Sequence, residues 1–226
     1  MSARDKILAR LRAAPVLPAA APAAAEIPQA GGPAADPFVL VKRFAAAMTA
    51  SRAEIHFTDA DAWPSLLLDL AKEKHVASLL IGGGTAHGDR LSALHPASPR
   101  LLAYDRPAAE WKRELFEDVD AGFTAARCGI ADTGCLVLWP DESEPRLMSL
   151  VPPIHFVLLD AATILPTLQS VMAAQGWSRA MPTNLLLISG PSKTADIQQT
   201  LAYGAHGPKE LVVLLVGGHP AAGSQT

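Results

Sequence analysis

Asn184-Leu-Leu-Leu-Ile-Ser-Gly-Pro-Ser-Lys-Thr-Ala-Asp-Ile197 is followed shortly by Gly204-Ala-His-Gly-Pro208. The apolar run Asn184 to Ile188 reads as a strand. It stops at Gly190-Pro191, and Thr194 to Tyr203 then carries a helical pattern. A second apolar run, Glu210 to Val216, follows the glycine-flanked His206. Strand, turn, helix and strand in this order indicate an α/β unit. A strand that ends at a helix N-terminus also presents free backbone N–H groups to an anion.

The same alternation continues through the core. Asp36 caps a helix that starts at Pro37, with Phe38, Val41, Phe44, Ala45 and Met48 at helical spacing. Strands are expected at Ala53–Phe57, Ala77–Ile81, Leu101–Tyr104 and Ile154–Leu159. Helices are expected at Trp63–Lys74, Ala108–Phe116 and Thr163–Ala174. Gly122–Ile130 and Gly134–Trp139 read as an antiparallel pair joined by Ala131-Asp-Thr-Gly134. The expected fold is a three-layer α/β/α sandwich with a mostly parallel sheet and one antiparallel strand pair.

Residues 1–35 form a separate arm. Ser2 to Arg12 is an amphipathic helix with Ile7, Leu8 and Leu11 on one stripe. Residues 13–35 are almost entirely Ala and Pro, the composition of a semi-rigid tether. The stripe reads two ways, folded back on its own domain or docked on a partner or a second copy of the chain. The domain proper is residues 36–226.

Composition narrows the function. Half of the 226 residues are apolar and 18% are charged, enough for a sizeable core. A net charge of −3 and few aromatics argue against nucleic acid. No apolar run reaches the ~20 residues of a membrane span, and the N-terminus lacks a signal core, so a cytoplasmic protein is expected. The two cysteines, Cys128 and Cys135, fall short of the roughly four thiolates of an iron–sulfur cluster. They are expected as ordinary buried thiols in or beside strands, a disulfide being possible but unexpected, and no metal is expected.

Three segments could carry chemistry. Gly190, Pro191, Ser192, Lys193, Thr194 and Asp196 read either as a well-capped helix start or as an anion site. In the second case Ser192 and Thr194 donate and Lys193 adds charge. His206, beside Gly207, is either a structural loop histidine or a ligand-binding acid or base near neutral pH. Asp132 and Thr133 either close a tight turn or face a cleft, Asp132 being a second catalytic candidate. The D-T-G triplet is shared with aspartic proteases, but they need two such carboxylates and there is no second copy. Gly82-Gly-Gly-Thr85, with His87 and Gly88 after it, is a loop tip or lines a cleft at the carboxyl ends of strands. It is neither a P-loop nor a dinucleotide fingerprint.

Ser189 to Ile197 together with Gly204 to Lys209 resembles the lactate-utilisation protein C family, of the LUD-domain type. Ser2 to Arg12 is similar to that family's opening helix. Ile130-Ala-Asp-Thr-Gly-Cys-Leu-Val-Leu138 and Ser149-Leu-Val-Pro-Pro-Ile-His155 resemble its central blocks. The resemblance implies a fold like the NagB, ribose-5-phosphate isomerase and CoA-transferase group. It also implies an accessory role in oxidising L-lactate to pyruvate beside partners that carry the iron–sulfur clusters. A small anionic metabolite is the ligand expected. The alternative is a free-standing isomerase- or transferase-like enzyme acting on a phosphorylated or carboxylated metabolite.

Overall fold

The computed structural model describes residues 3–13, 36–177, 179–195, 201–203 and 207–218. The chain divides into residues 1–33 and residues 34–226. In the first unit, α1 spans Ala3–Ala13, with Asp5 in its first turn and Arg10 and Arg12 in its last. That order of charges suits the helix dipole. Ser2 and the Ala/Pro tether lie outside the described residues.

The second unit opens with α2 (Pro37–Ala50), whose N-cap Asp36 accepts a bond from the Phe38 N–H. Then follow β1 (Glu54–Thr58), α3 (Trp63–Glu73), β2 (Ser78–Gly82), α4 (Ala86–Ala93), β3 (Arg100–Tyr104), α5 (Ala108–Glu117) and β4 (Ala121–Ala125). The hairpin β5 (Cys128–Ile130) and β6 (Cys135–Leu138) leads to the short α6 (Leu147–Leu150) and β7 (Ile154–Asp160). β8 (Ile164–Leu165), α7 (Leu168–Ala174), β9 (Leu186–Ile188), β10 (Lys193–Ala195), β11 (Leu201–Tyr203) and β12 (Glu210–Val216) complete it.

Six parallel strands form the central sheet in the order β1-β12-β7-β4-β2-β3. Its central strands are buried on both faces, so they read in sequence as continuous apolar runs. On one face Trp63, Leu67, Leu70 and Leu91 of α3 and α4 pack on Phe123, Phe156, Val212 and Leu214. On the other, Phe44 and Met48 of α2, with Leu136 and Leu138 of β6, pack on Val157, Leu159, Val213 and Leu215. Trp111 and Leu115 of α5 cover Leu80 on that same face. Burying a side chain such as Phe44 or Phe156 contributes about 1.5–3 kcal/mol. The α/β sandwich expected from sequence is therefore present. One outer layer is part helix and part a four-stranded sheet, β8-β5-β6-β9.

Three local expectations are corrected. The segment Gly122–Ile130 is two strands. Ala126 N–H still bonds Leu158 of the central sheet, whereas Arg127 N–H bonds Val137 of the small one, so the chain changes sheets between neighbours. The helix expected from Thr163 begins only after Thr167, which caps it through the Ser170 N–H. Pro166 forces the change, because it disfavours helical geometry at the residue before it, and Leu165 lies in β8. The helix expected at 194–203 is replaced by β10 pairing antiparallel with β11, Lys193 opposite Tyr203. A helix over those ten residues would be short, and a short isolated helix is marginal. Strand pairing satisfies the backbone across the ladder instead.

Candidate functional site

The turn after β9 borders a cavity of about 250 Å³. Ser189, Gly190 and Ser192 form one wall, and Gly207 and Pro208 another. Ser149 and Leu150 of α6, His155 of β7 and Leu211 of β12 complete the inner side. His155 lies opposite Gly122 and Leu211, near the amino ends of the parallel strands. The cavity thus lies at the amino end of the sheet, away from the carboxyl ends where one of the two readings of Gly82–Thr85 would put a cleft.

Close backbone contacts shape this place. Ser192 N–H donates to the Pro208 carbonyl at 2.8 Å, tying the turn to the start of β12. A Cβ on Gly190 would come within 2.7 Å of the Ser51 carbonyl at the end of α2, so only glycine lets the turn lie there. A Cβ on Gly122 would collide with the Met148 carbonyl, so its absence lets α6 close over β4 beside His155.

His155 is fully buried. Its Nε2 lies 2.9 Å from Thr124 Oγ1 on the neighbouring strand, while its Nδ1 has no partner among the described residues. Burial pushes its pKa down to about 3, so the ring is neutral at physiological pH. Among the described residues no charged side chain lines this cavity, and its polar side chains are His155 and three serines. A second hollow of about 280 Å³ shares Ser189 and Gly190 and adds Arg52, Pro191 and Lys193. A third, of about 220 Å³, is lined by Arg52 and Lys209 together with the carboxylates Glu54 and Glu210. Among the described residues the inner cavity is lined by neutral side chains, the second hollow by cations, and the third by charges of both signs.

The structure therefore gathers Gly190, Pro191, Ser192, Lys193 and Gly207 around adjoining hollows. Ser192 leads into a strand, so there is no helix N-terminus at this turn. Thr194 lies in β10, while Asp196 and His206 fall outside the described residues. Asp132 and Thr133 do not line these hollows. Asp132 instead pairs with Arg43 of α2 at 2.5 Å, both partners being exposed.

The Gly82–Thr85 segment leads into α4, with Thr85 capping it through the Gly88 N–H. His87 Nε2 lies 2.6 Å from Glu144, which also accepts from the Ala125 N–H. Glu144 fills the crevice at the carboxyl ends of β2 and β4, leaving about 10 Å³ beside it. That is no more than the space of one water. Cys128 is buried and its thiol is pushed up to about 11, the behaviour of an inert core cysteine. Among the described residues no helix is long and apolar enough to cross a membrane. No group of three or more His, Cys, Asp or Glu among them could hold a metal ion.

Sequence reasoning passed over His155 and Ser149 as site residues. The available signal was a histidine at the start of the otherwise apolar run Ile154–Leu159, a polar ring placed in a core strand.

The family model of the LUD domain matches residues 41–216. An uncharacterized protein of Neisseria meningitidis serogroup B is 42% identical over 96% of this chain and 94% of its own length. The lactate utilization protein C of Macrococcus caseolyticus is 32% identical over 46% of each chain. That of Halalkalibacterium halodurans is 31% identical over 52% of this chain and 53% of its own. The match thus spans about half the length of these two relatives. A crystal structure of a DUF162 family protein from Deinococcus radiodurans shares the fold, with a TM-score of 0.57 at 19% identity, over 80% of this chain and 99% of that one. With the family model covering most of its length, the chain belongs to the LUD-domain family.

Proposed function

We propose that this chain is an accessory subunit of L-lactate utilisation, working in the cytoplasm beside iron–sulfur partner proteins and holding a small anionic metabolite. The relatives named lactate utilization protein C support the lactate role. The observation that carries the binding role is the inner cavity at Ser189–Ser192 and Gly207–Pro208, adjoined at Ser189 and Gly190 by a hollow bearing Arg52 and Lys193. An anion can be drawn by the outer cations and held by neutral donors within. The partners supply the electron-transfer centres, and this chain supplies binding and positioning.

The test is genetic and biochemical. A strain lacking this gene should fail to grow on L-lactate and recover when the chain is restored. The tagged chain should retrieve cluster-bearing proteins from lactate-grown cells. Normal growth of the deletion strain, with recovery of the chain alone, overturns the proposal. Turnover of a phosphorylated or carboxylated metabolite by the purified chain alone would replace it with the free-standing enzyme.

A further inference from the structure

We propose that His155 is the ligand-reading residue of the inner cavity, donating an Nδ1–H bond to an oxygen of a small 2-oxo or 2-hydroxy monocarboxylate. The inference rests on the binding role proposed above and names its ligand class. Its basis is a proton count. Thr124 is almost fully buried, and among the described residues its hydroxyl meets His155 Nε2. If Nε2–H donated to Oγ1, the hydroxyl proton and the Nδ1 lone pair would both go unmet. If the hydroxyl donates to Nε2, one group is left, the Nδ1–H. Unmet buried polar groups are costly, so the second arrangement is the stable one. The neutral ring is then the Nδ1–H tautomer, a buried donor that needs an acceptor.

The rest of the lining selects the acceptor. Leu150, Leu187, Ile188 and Leu211 give an apolar surface suited to a short alkyl group. Ser149, Ser189 and Ser192 add hydroxyls, and among the described residues no acidic side chain lines the wall to repel a carboxylate. Some 250 Å³ suits a metabolite of a few heavy atoms and is smaller than the usual drug-sized pocket. A carboxylate end can face the hollow of Arg52 and Lys193, which meets this cavity at Ser189 and Gly190. Nδ1 is covered in the ligand-free chain, so binding brings a small yielding of the cavity wall with it.

Titration calorimetry on the full chain tests this with pyruvate, L-lactate and inorganic phosphate as probes. Pyruvate and L-lactate should bind, and His155→Leu should weaken pyruvate at least tenfold while keeping a cooperative melt. Equal binding by His155→Leu overturns the role of His155 and leaves the accessory-subunit reading standing. Binding of phosphate without either carboxylate overturns the ligand class. No binding of any probe overturns both this inference and the metabolite-holding role, leaving the growth test to decide the lactate role. If His155→Leu does not fold, histidine-labelled wild-type chain is read by ¹⁵N NMR. An Nδ1–H signal that moves on adding pyruvate supports the proposal, and an Nε2–H tautomer or an unmoved signal overturns it.

Discussion

Glu144 lies 2.6 Å from His87 Nε2 and also accepts the backbone N–H of Ala125, so one carboxylate joins the first turn of α4 to the end of β4. Both side chains are mostly covered, at 16% exposure each. In parallel α/β sheets the carboxyl end of the strands is where a ligand crevice usually opens. Here the crevice is filled from within. Gly82 makes room for it, since a Cβ there would come within 2.9 Å of Glu144 Cγ. Removing the carboxylate strands a half-buried N–H and a histidine. Glu144→Ala should therefore cost about 1–3 kcal/mol in urea unfolding, and Glu144→Gln less. A variant as stable as wild type would show that the plug is not structural.

The β5–β6 turn separates two effects that sequence could not. Arg43 and Asp132 are both exposed, so their pair is worth about 0–1 kcal/mol. Asp132→Asn should change the midpoint of unfolding little. Gly134 has a φ of +57°, and a Cβ there would come within 2.6 Å of the Ala47 Cβ on α2. Gly134→Ala should cost more, about 1–3 kcal/mol. A growth defect on L-lactate from Asp132→Asn at unchanged stability would return Asp132 to the functional residues.

Cys128 and Cys135 should react at different rates. Cys128 is buried with its thiol pushed up to about 11, first by desolvation, against a smaller opposing effect of Arg127. Cys135, expected from sequence to be buried as well, is partly exposed. A thiol reagent at pH 8 should label Cys135 in the native chain and Cys128 only on unfolding. Equal rates in the native state would contradict the burial of β5.

What the sequence showed follows from where side chains are buried. Glu210–Val216 and Ile154–Leu159 were legible because strands covered on both faces make unbroken apolar runs. Asp36-Pro37 was legible because a cap and a first-turn proline are local chemistry. The segment 194–203 was misread because helical spacing of a few apolar residues does not reveal whether anything packs on them. The candidate site was half legible. Ser189, Gly190 and Ser192 of one local turn lie together on the cavity wall. His155 comes from a different strand and meets them only through the stacking of two sheets, a long-range relation that local spacing does not encode.

His155 also sets the acid response of the fold. Its ordinary value is near 6.5, and burial lowers it to about 3 in the native chain. Below pH 6.5 the unfolded chain gains a proton that the folded chain refuses, so stability falls as pH falls. The loss should approach about 1.4 kcal/mol per pH unit once the unfolded histidine is protonated, continuing toward pH 3. At pH 7 and above the penalty is absent. Carboxylates add their own acid dependence; Glu54, for example, is lowered below its ordinary value by its bonds to Lys74 and His56, against the opposing effect of burial. The comparison with His155→Leu isolates the histidine. Urea midpoints measured at pH 7, 6, 5 and 4 should fall more steeply for the wild type than for the variant. Parallel curves would mean that the native ring takes up its proton as readily as an exposed histidine, and that the Nδ1 side of the cavity is open to water.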